Sequence, residues 1–289
     1  AALVFGGNPG SLTATEEFNT GVAVGAWSTG GNLNTARYGL AGCGTQTAAL
    51  AIAGSPGLAI TEAYNGSAWT EVNDLNTGRQ SLAAAGTQTS ALAFCGEPST
   101  AITELWNGTN WAEVNDLNTA RLGAGGAGAS NTAVLAFGAY SPLAPGTTGV
   151  TETWNGTNWT EVNDLNTARG FLGGAGTNTA ALAFGGRIAP GASTAVTELW
   201  NGTNWTEVND LNSARRTGGS AGSTNTAALY FGGRNITAVT ELWNGTNWTT
   251  VASMGTARYS LTGAGTNTAA LAVGGEAPGA GALALTEEW

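Results

Sequence analysis

The sequence predicts an all-β fold in which four-stranded antiparallel meanders stand around a common axis, a β-propeller. Three observations carry this. Four short patterns recur in fixed order along the 289 residues. Each is a run of four to eight residues bounded by turn-forming Gly, Asn, Asp and Thr, the length and punctuation of strands. No stretch places apolar residues at i, i+3 and i+4 between caps, so helices are not expected.

The first pattern, a, follows an arginine and is built of small residues, as in "RYGLAGCG" at 37–44 and "RGFLGGAG" at 169–176. Pattern b is an apolar run closing on Gly or Ala, such as "AALAFGG" at 180–186. Pattern c is Thr-Glu plus an aromatic, and pattern d carries a Trp; "TELWNGTNWTEV" at 197–208 holds both. Successive pattern-a arginines are 42, 42, 48, 46 and 43 residues apart, so each unit has room for four strands. Units of this length stack radially. Innermost strands crowd the axis and need Gly and Ala, which pattern a supplies; outer strands diverge and need the bulk of c and d.

The Asn-Gly between c and d signals a hairpin, with a two- or four-residue loop, since type I′ turns need positive φ at both central residues. Trp106 and Trp111 are five residues apart across that turn, which puts both rings on one face. The same holds for Trp154/Trp159, Trp200/Trp205, Trp243/Trp248 and Tyr64/Trp69, and for Phe18/Trp27 with a longer loop. Two rings per unit predict a hydrophobic contact with the next unit, each worth about 2–3 kcal/mol. Read as hairpins, the dense "NGT" and "NWT" triplets need no glycan to explain them.

Composition narrows the function. With 42% hydrophobic residues and 11 Trp the chain is no disordered polymer. It has nine Arg, no Lys and a net charge of −10, which argues against nucleic acid as partner. No apolar run reaches the ~20 residues of a membrane-spanning helix, and no signal peptide is visible at the start, which lacks Met. Cys43 and Cys95 fall in small-residue slots and read as buried thiols. The absence of His removes Ser-His-Asp and Cys-His catalysis and His-ligated metals. Neither a catalytic residue, a metal site nor a cofactor is expected. The Gly-rich stretches precede no helix and make no phosphate loop.

In order and spacing, the Gly-Gly ending b, the aromatic of c and the Trp of d resemble the kelch repeat, the propeller type of the galactose oxidase central domain. The resemblance spans essentially the whole chain and implies a single domain, 1–289. The copper chemistry of that enzyme needs His and does not carry over. The uniform, Asn/Thr/Gly/Ala-rich copies are also similar in style to kelch-type repeats of marine bacteriophage proteins.

Patterns b and c occur seven times, a and d six times. Units at approximately 1–34, 37–76, 79–118, 121–166, 169–212, 215–255 and 258–289 give a preferred seven-bladed ring with incomplete terminal blades. This count lacks one d–a segment and implies chain beyond at least one end. The alternative is six blades closed by mixing terminal strands, with one b–c hairpin left over.

A radial meander puts the b–c and d–a connections on one face and the a–b and c–d turns on the other. The turns of the second face are nearly identical. The b–c loops differ, at 8–14, 55–60, 97–102, 139–150, 187–196, 234–239 and 276–285. A fixed scaffold with variable loops is how binding sites are built. The arginines Arg37, Arg79, Arg121, Arg169, Arg215 and Arg258 open each inner strand on that face, and the resemblance implies a place near the channel mouth, where some kelch proteins hold acidic ligands. The competing reading pairs them with the repeated Glu of pattern c in buried ion pairs. Tyr140, Arg187 and Arg234 lie in the variable loops and complete the candidate binding residues, while Asp74, Asp116, Asp164 and Asp210 are expected to organise the d–a turns.

The expected function is a non-enzymatic structural or binding module on an exposed part of a phage particle: fibre, tail or capsid decoration. Its expected partners are other virion proteins or a host-surface glycan, with self-association a further option, and its expected location is the virion or the extracellular space. The rivals are a carbohydrate-binding lectin propeller, weakened by loops poor in aromatics, and a glycan-cleaving enzyme using paired carboxylates.

Overall fold

The computed structural model describes residues 2–4, 16–18, 25–141, 146–235 and 237–289. Six four-stranded antiparallel sheets are formed, each a meander in the order a-b-c-d. Blade 1 comprises Ala41–Thr45, Ala48–Gly54, Leu58–Tyr64 and Trp69–Val72. Blades 2 to 5 run from Ala83 to Val114, Gly125 to Val162, Gly173 to Val208 and Gly219 to Val251. The a strands contact one another around the axis, and the d strands lie outside.

The sixth blade corrects the preferred count of seven. Its a, b and c strands are Thr262–Gly265, Ala270–Val273 and Thr286–Glu288, and its d strand is Ser28–Thr29 from the opposite end of the chain. Glu287 pairs with Thr29 and Glu288 with Ser28. The first unit's d strand therefore completes the last unit's blade, so the ring closes without any strand from outside the sequence. What remains is the first unit's b–c hairpin, Ala2–Val4 with Glu16–Phe18, as a separate two-stranded sheet. Trp27, expected to pair with Phe18, follows the same exchange: it packs on Trp289 at 5.3 Å and on Phe231 at 4.8 Å. The first b–c loop, 8–14, lies outside the described residues.

The described residues share no single core. The buried apolar residues fall into six clusters, one in each gap between blades. In each gap the b strand of one blade meets the d-strand Trp of the next. Phe94 meets Trp159 edge-on at 5.2 Å, Phe137 meets Trp205 at 5.1 Å, and Phe184 meets Trp248 at 4.9 Å. Every one of these indoles also donates its Nε1–H to the c-strand Thr of the preceding blade. The series is Trp69 to Thr286, Trp111 to Thr61, Trp159 to Thr103, Trp205 to Thr151, Trp248 to Thr197 and Trp27 to Thr240, all at 3.0–3.2 Å. An indole buried in an apolar gap needs such an acceptor, and the Thr of "TELW" supplies it.

The Gly-Gly ending pattern b has a matching backbone role. Its first position is left-handed, with φ of 56–66° in all six blades. Four blades place Gly there, while Ala53 and Cys95 occupy it in blades 1 and 2. The bend aims the next N–H at the arginine carbonyl of the following blade, as Gly54 to Arg79 at 3.0 Å and Gly186 to Arg215 at 2.9 Å. The Asn-Gly hairpin takes the four-residue form. Trp106 and Trp111 are directly paired around a four-residue loop in which only Gly108 has positive φ, +93°. Asn107 instead caps the loop, its Oδ1 accepting the N–H groups of Thr109 and Asn110 at 2.9 and 2.8 Å. A side-chain acceptor of this kind replaces the second left-handed residue.

Closure by Ser28–Thr29 has a direct test in urea unfolding. Removing residues 1–24 is expected to leave stability within about 0.5 kcal/mol of the full chain. Trp27→Ala, which empties one inter-blade gap, is expected to cost about 2–3 kcal/mol. A seven-bladed ring would reverse the order.

Candidate functional site

The arginine series is structural in place and in partners. All six side chains are essentially inaccessible, and each lies within 4 Å of the c-strand Glu of its own blade: Glu62, Glu104, Glu152, Glu198, Glu241 and Glu287 in chain order. Blade 4 shows the full set. Arg169 Nη1 donates to Glu198 Oε1 at 2.6 Å, and Nη2 donates to the Ala183 carbonyl at 3.1 Å. Glu198 also accepts from Asn166 N and Nδ2, both at 2.8 Å, and from Thr167 N at 3.2 Å. Asn166 and Thr167 belong to the segment that crosses from blade 3, so each pair staples the d–a crossover to the blade it enters. In blades 3 and 5 the guanidinium is turned: Nη1 of Arg121 and Arg215 donates to the Val150 and Val239 carbonyls, and Nη2 faces the Glu at 3.2 and 3.0 Å without hydrogen-bond alignment. Desolvation lowers the pKa of Arg121, Arg169 and Arg258, and the paired Glu opposes it. Asp74, Asp116, Asp164 and Asp210 each accept the N–H of their blade's c-strand Thr at 3.0–3.1 Å, fixing the turn as expected.

With the six arginines enclosed, the accessible features of the variable face lie just beyond them. The residue two places after each arginine forms a closed backbone cycle. Gly39, Ser81, Gly123, Phe171, Thr217 and Ser260 each donate N–H to the carbonyl of the equivalent residue in the preceding blade, at 2.6–3.0 Å. All six are left-handed, with φ of 52–64°. Four carry a side chain in that region at a cost of about 1 kcal/mol each, which the cycle offsets. This collar crowns a central channel of about 410 Å³ lined by the a strands.

Beside the collar the structure brings Tyr140, Arg187 and Arg234 near one another from three different loops, with Arg216 among them. The Arg187 guanidinium lies over the Tyr140 ring at 5.1 Å, and Tyr140 faces Phe171 at 6.3 Å. Arg216 Nη1 donates to the Gly191 carbonyl, and the Arg234 N–H donates to the Arg216 carbonyl at 2.8 Å. Partial burial, then the charges of Arg234 and Arg187, lower the Arg216 pKa. Tyr259 stands nearby with its pKa raised by desolvation and by its hydrogen bond to Glu276, against the opposing charge of Arg234. Arg216 was legible in "RRTGGSAG" as a departure from the repeat, since the other blades place Tyr, Gln, Leu, Gly and Tyr after the arginine. Attention to the repeated Arg215 hides its unrepeated neighbour.

Elsewhere the chemistry is quiet. Burial pushes the Cys43 thiol up to about 12 and raises that of Cys95, so both are protonated at neutral pH. Among the described residues no cluster of His, Cys, Asp and Glu could hold a metal ion.

Breaking one staple isolates its contribution. Glu198→Ala leaves the Arg169 charge buried without its partner and is expected to cost about 3–5 kcal/mol in denaturant unfolding; Arg169→Met with Glu198→Leu should recover only the share owed to that charge, because Asn166 and Thr167 still lose their acceptor.

Comparison with known proteins adds the fold. By sequence the chain matches no protein-family description and none of the curated proteins. By structure it is similar to a solved protein described as "Structure of YjhT", with a TM-score of 0.73 and 13% sequence identity, over 90% of this chain and 96% of that one. The likeness supports a propeller of six four-stranded blades.

Proposed function

We propose that this chain is a non-enzymatic binding module of kelch type, carried on an exposed part of a phage particle such as a fibre, tail or capsid decoration. It would attach to a host-surface glycan or to another virion protein through the face bearing the b–c loops. One observation carries the reading. The repeated side chains are consumed internally: Trp against Thr and Arg against Glu in all six blades, and Asp against backbone in four. Chemistry left for a partner sits in the unrepeated residues of the rim. The repeated Glu residues are held by Arg and backbone donors, an arrangement suited to architecture and not to proton transfer.

The lectin reading gains from the structure. The loops are poor in aromatics, but pattern a contributes Phe171, half-buried at the collar with its ring 6.3 Å from that of Tyr140. A sugar-sized ring thus meets aromatic faces that no single loop encodes. The phage setting rests on the repeat style of the sequence alone.

A glycan array and a pull-down with intact virions separate the readings. Binding in either, lost on replacing the 187–196 and 234–239 loops with the 97–102 loop, is the expected result. Release of reducing ends from a bound polysaccharide would replace the binding module with an enzyme.

A further inference from the structure

The charge distribution narrows the ligand class, an inference that rests on the rim being the binding face. The chain has nine arginines and no lysine. Six arginines are enclosed in ion pairs. The remaining three, Arg187, Arg216 and Arg234, all converge on one patch beside the collar. Among the described residues none of these three has a carboxylate within 4 Å. Arg234 is exposed, and the other two are half-buried.

Their convergence is built. The N–H of Arg234 bonds to the carbonyl of Arg216, which sets the two side chains next to each other at the top of blade 5. Gly191 of the neighbouring loop holds the other pair. Its carbonyl accepts from Arg216, and a methyl group at its α-carbon would lie 3.5 Å from Arg187 Nη2. Tyr140 braces Arg187 from the far side. Three like charges at such a spot repel one another, and a chain of net charge −10 has many acidic residues with which they are not paired. Concentrated positive charge is relieved by an anion that accepts from several guanidinium groups at once.

We propose that Arg187, Arg216 and Arg234 form a binding site for an acidic saccharide, one carrying carboxylate or sulfate groups on a sugar frame. The long-range field favours a sugar over an acidic protein segment or nucleic acid. A net charge of −10 repels a dense polyanion, while a saccharide can present a few anionic oxygens on a largely neutral body. Tyr140 and Phe171 supply apolar faces beside the charges for the ring carbons.

The experiment is titration calorimetry of the full chain with tri-galacturonate and with a chondroitin sulfate tetrasaccharide. Cellotriose serves as neutral control, and a hexapeptide of Asp and Glu as acidic non-sugar. At least one acidic sugar is expected to bind, more weakly as salt rises. Arg234→Gln and Arg216→Gln are each expected to weaken it about tenfold. Arg234 is exposed, so its variant should keep the parent melting temperature even if Arg216→Gln disturbs the collar. No binding of either acidic sugar, affinity unchanged in both variants, or binding of the peptide alone would each overturn the proposal. A neutral glycan bound at the rim would defeat this inference and leave the binding-module reading standing; a rim that binds neither glycan nor virion protein would defeat that reading too.

Discussion

Each blade of this protein is too thin to bury its own apolar faces, and the indole of the d strand makes a neighbour obligatory. A four-stranded sheet with small residues on its inner strands has no core. The Trp of one blade provides it by filling the gap beside the previous blade's Phe, Ile or Val, and its N–H is satisfied only by that blade's Thr. Apolar area and a single directional bond act on the same ring, so the interface is both favourable and in register. Because every blade both gives and receives such a ring, the arrangement is complete only as a closed circle, and the d strand at Ser28–Thr29 is what closes it.

Two further cycles follow the same circle at smaller radii. The Arg–Glu staples hold each crossover segment to the blade it enters, and the collar links the a strands through backbone bonds alone. Buried ion pairs are weak evidence for stability taken singly, since desolvation opposes the attraction. Their value here lies in position: the carboxylate gathers backbone donors of the crossover that would otherwise be buried without acceptors. The same pairing has an electrostatic effect at the surface. By enclosing six of the nine arginines it leaves the rim patch as the main concentration of positive charge on an acidic body.

Much of this was legible in the chain. Strand lengths, the small inner strands, the same-face aromatics of c and d and the Arg–Glu pairing all follow from repeated residues, because a repeated residue meets a repeated environment. The blade count was not. Counting patterns gives seven of b and c, yet whether a terminal hairpin joins the ring depends on how many wedges fill a full turn. The Asn-Gly pair signals the hairpin but leaves a two- or four-residue loop open; the fold takes four, with Asn107 capping the loop through its side chain.

Sequence by itself determined the wedge: what each blade is made of, which face it buries and which charges it neutralises internally. It could do so because those contacts lie within one unit or between identical neighbours. Only the tertiary structure decided the number of wedges, the exchange of a strand between chain ends and the meeting of Tyr140, Arg187, Arg216 and Arg234. Tyr140, Arg187 and Arg234 hold the same place in three successive units, directly after the close of pattern b, so their proximity comes from the curvature of the ring, which no local spacing records.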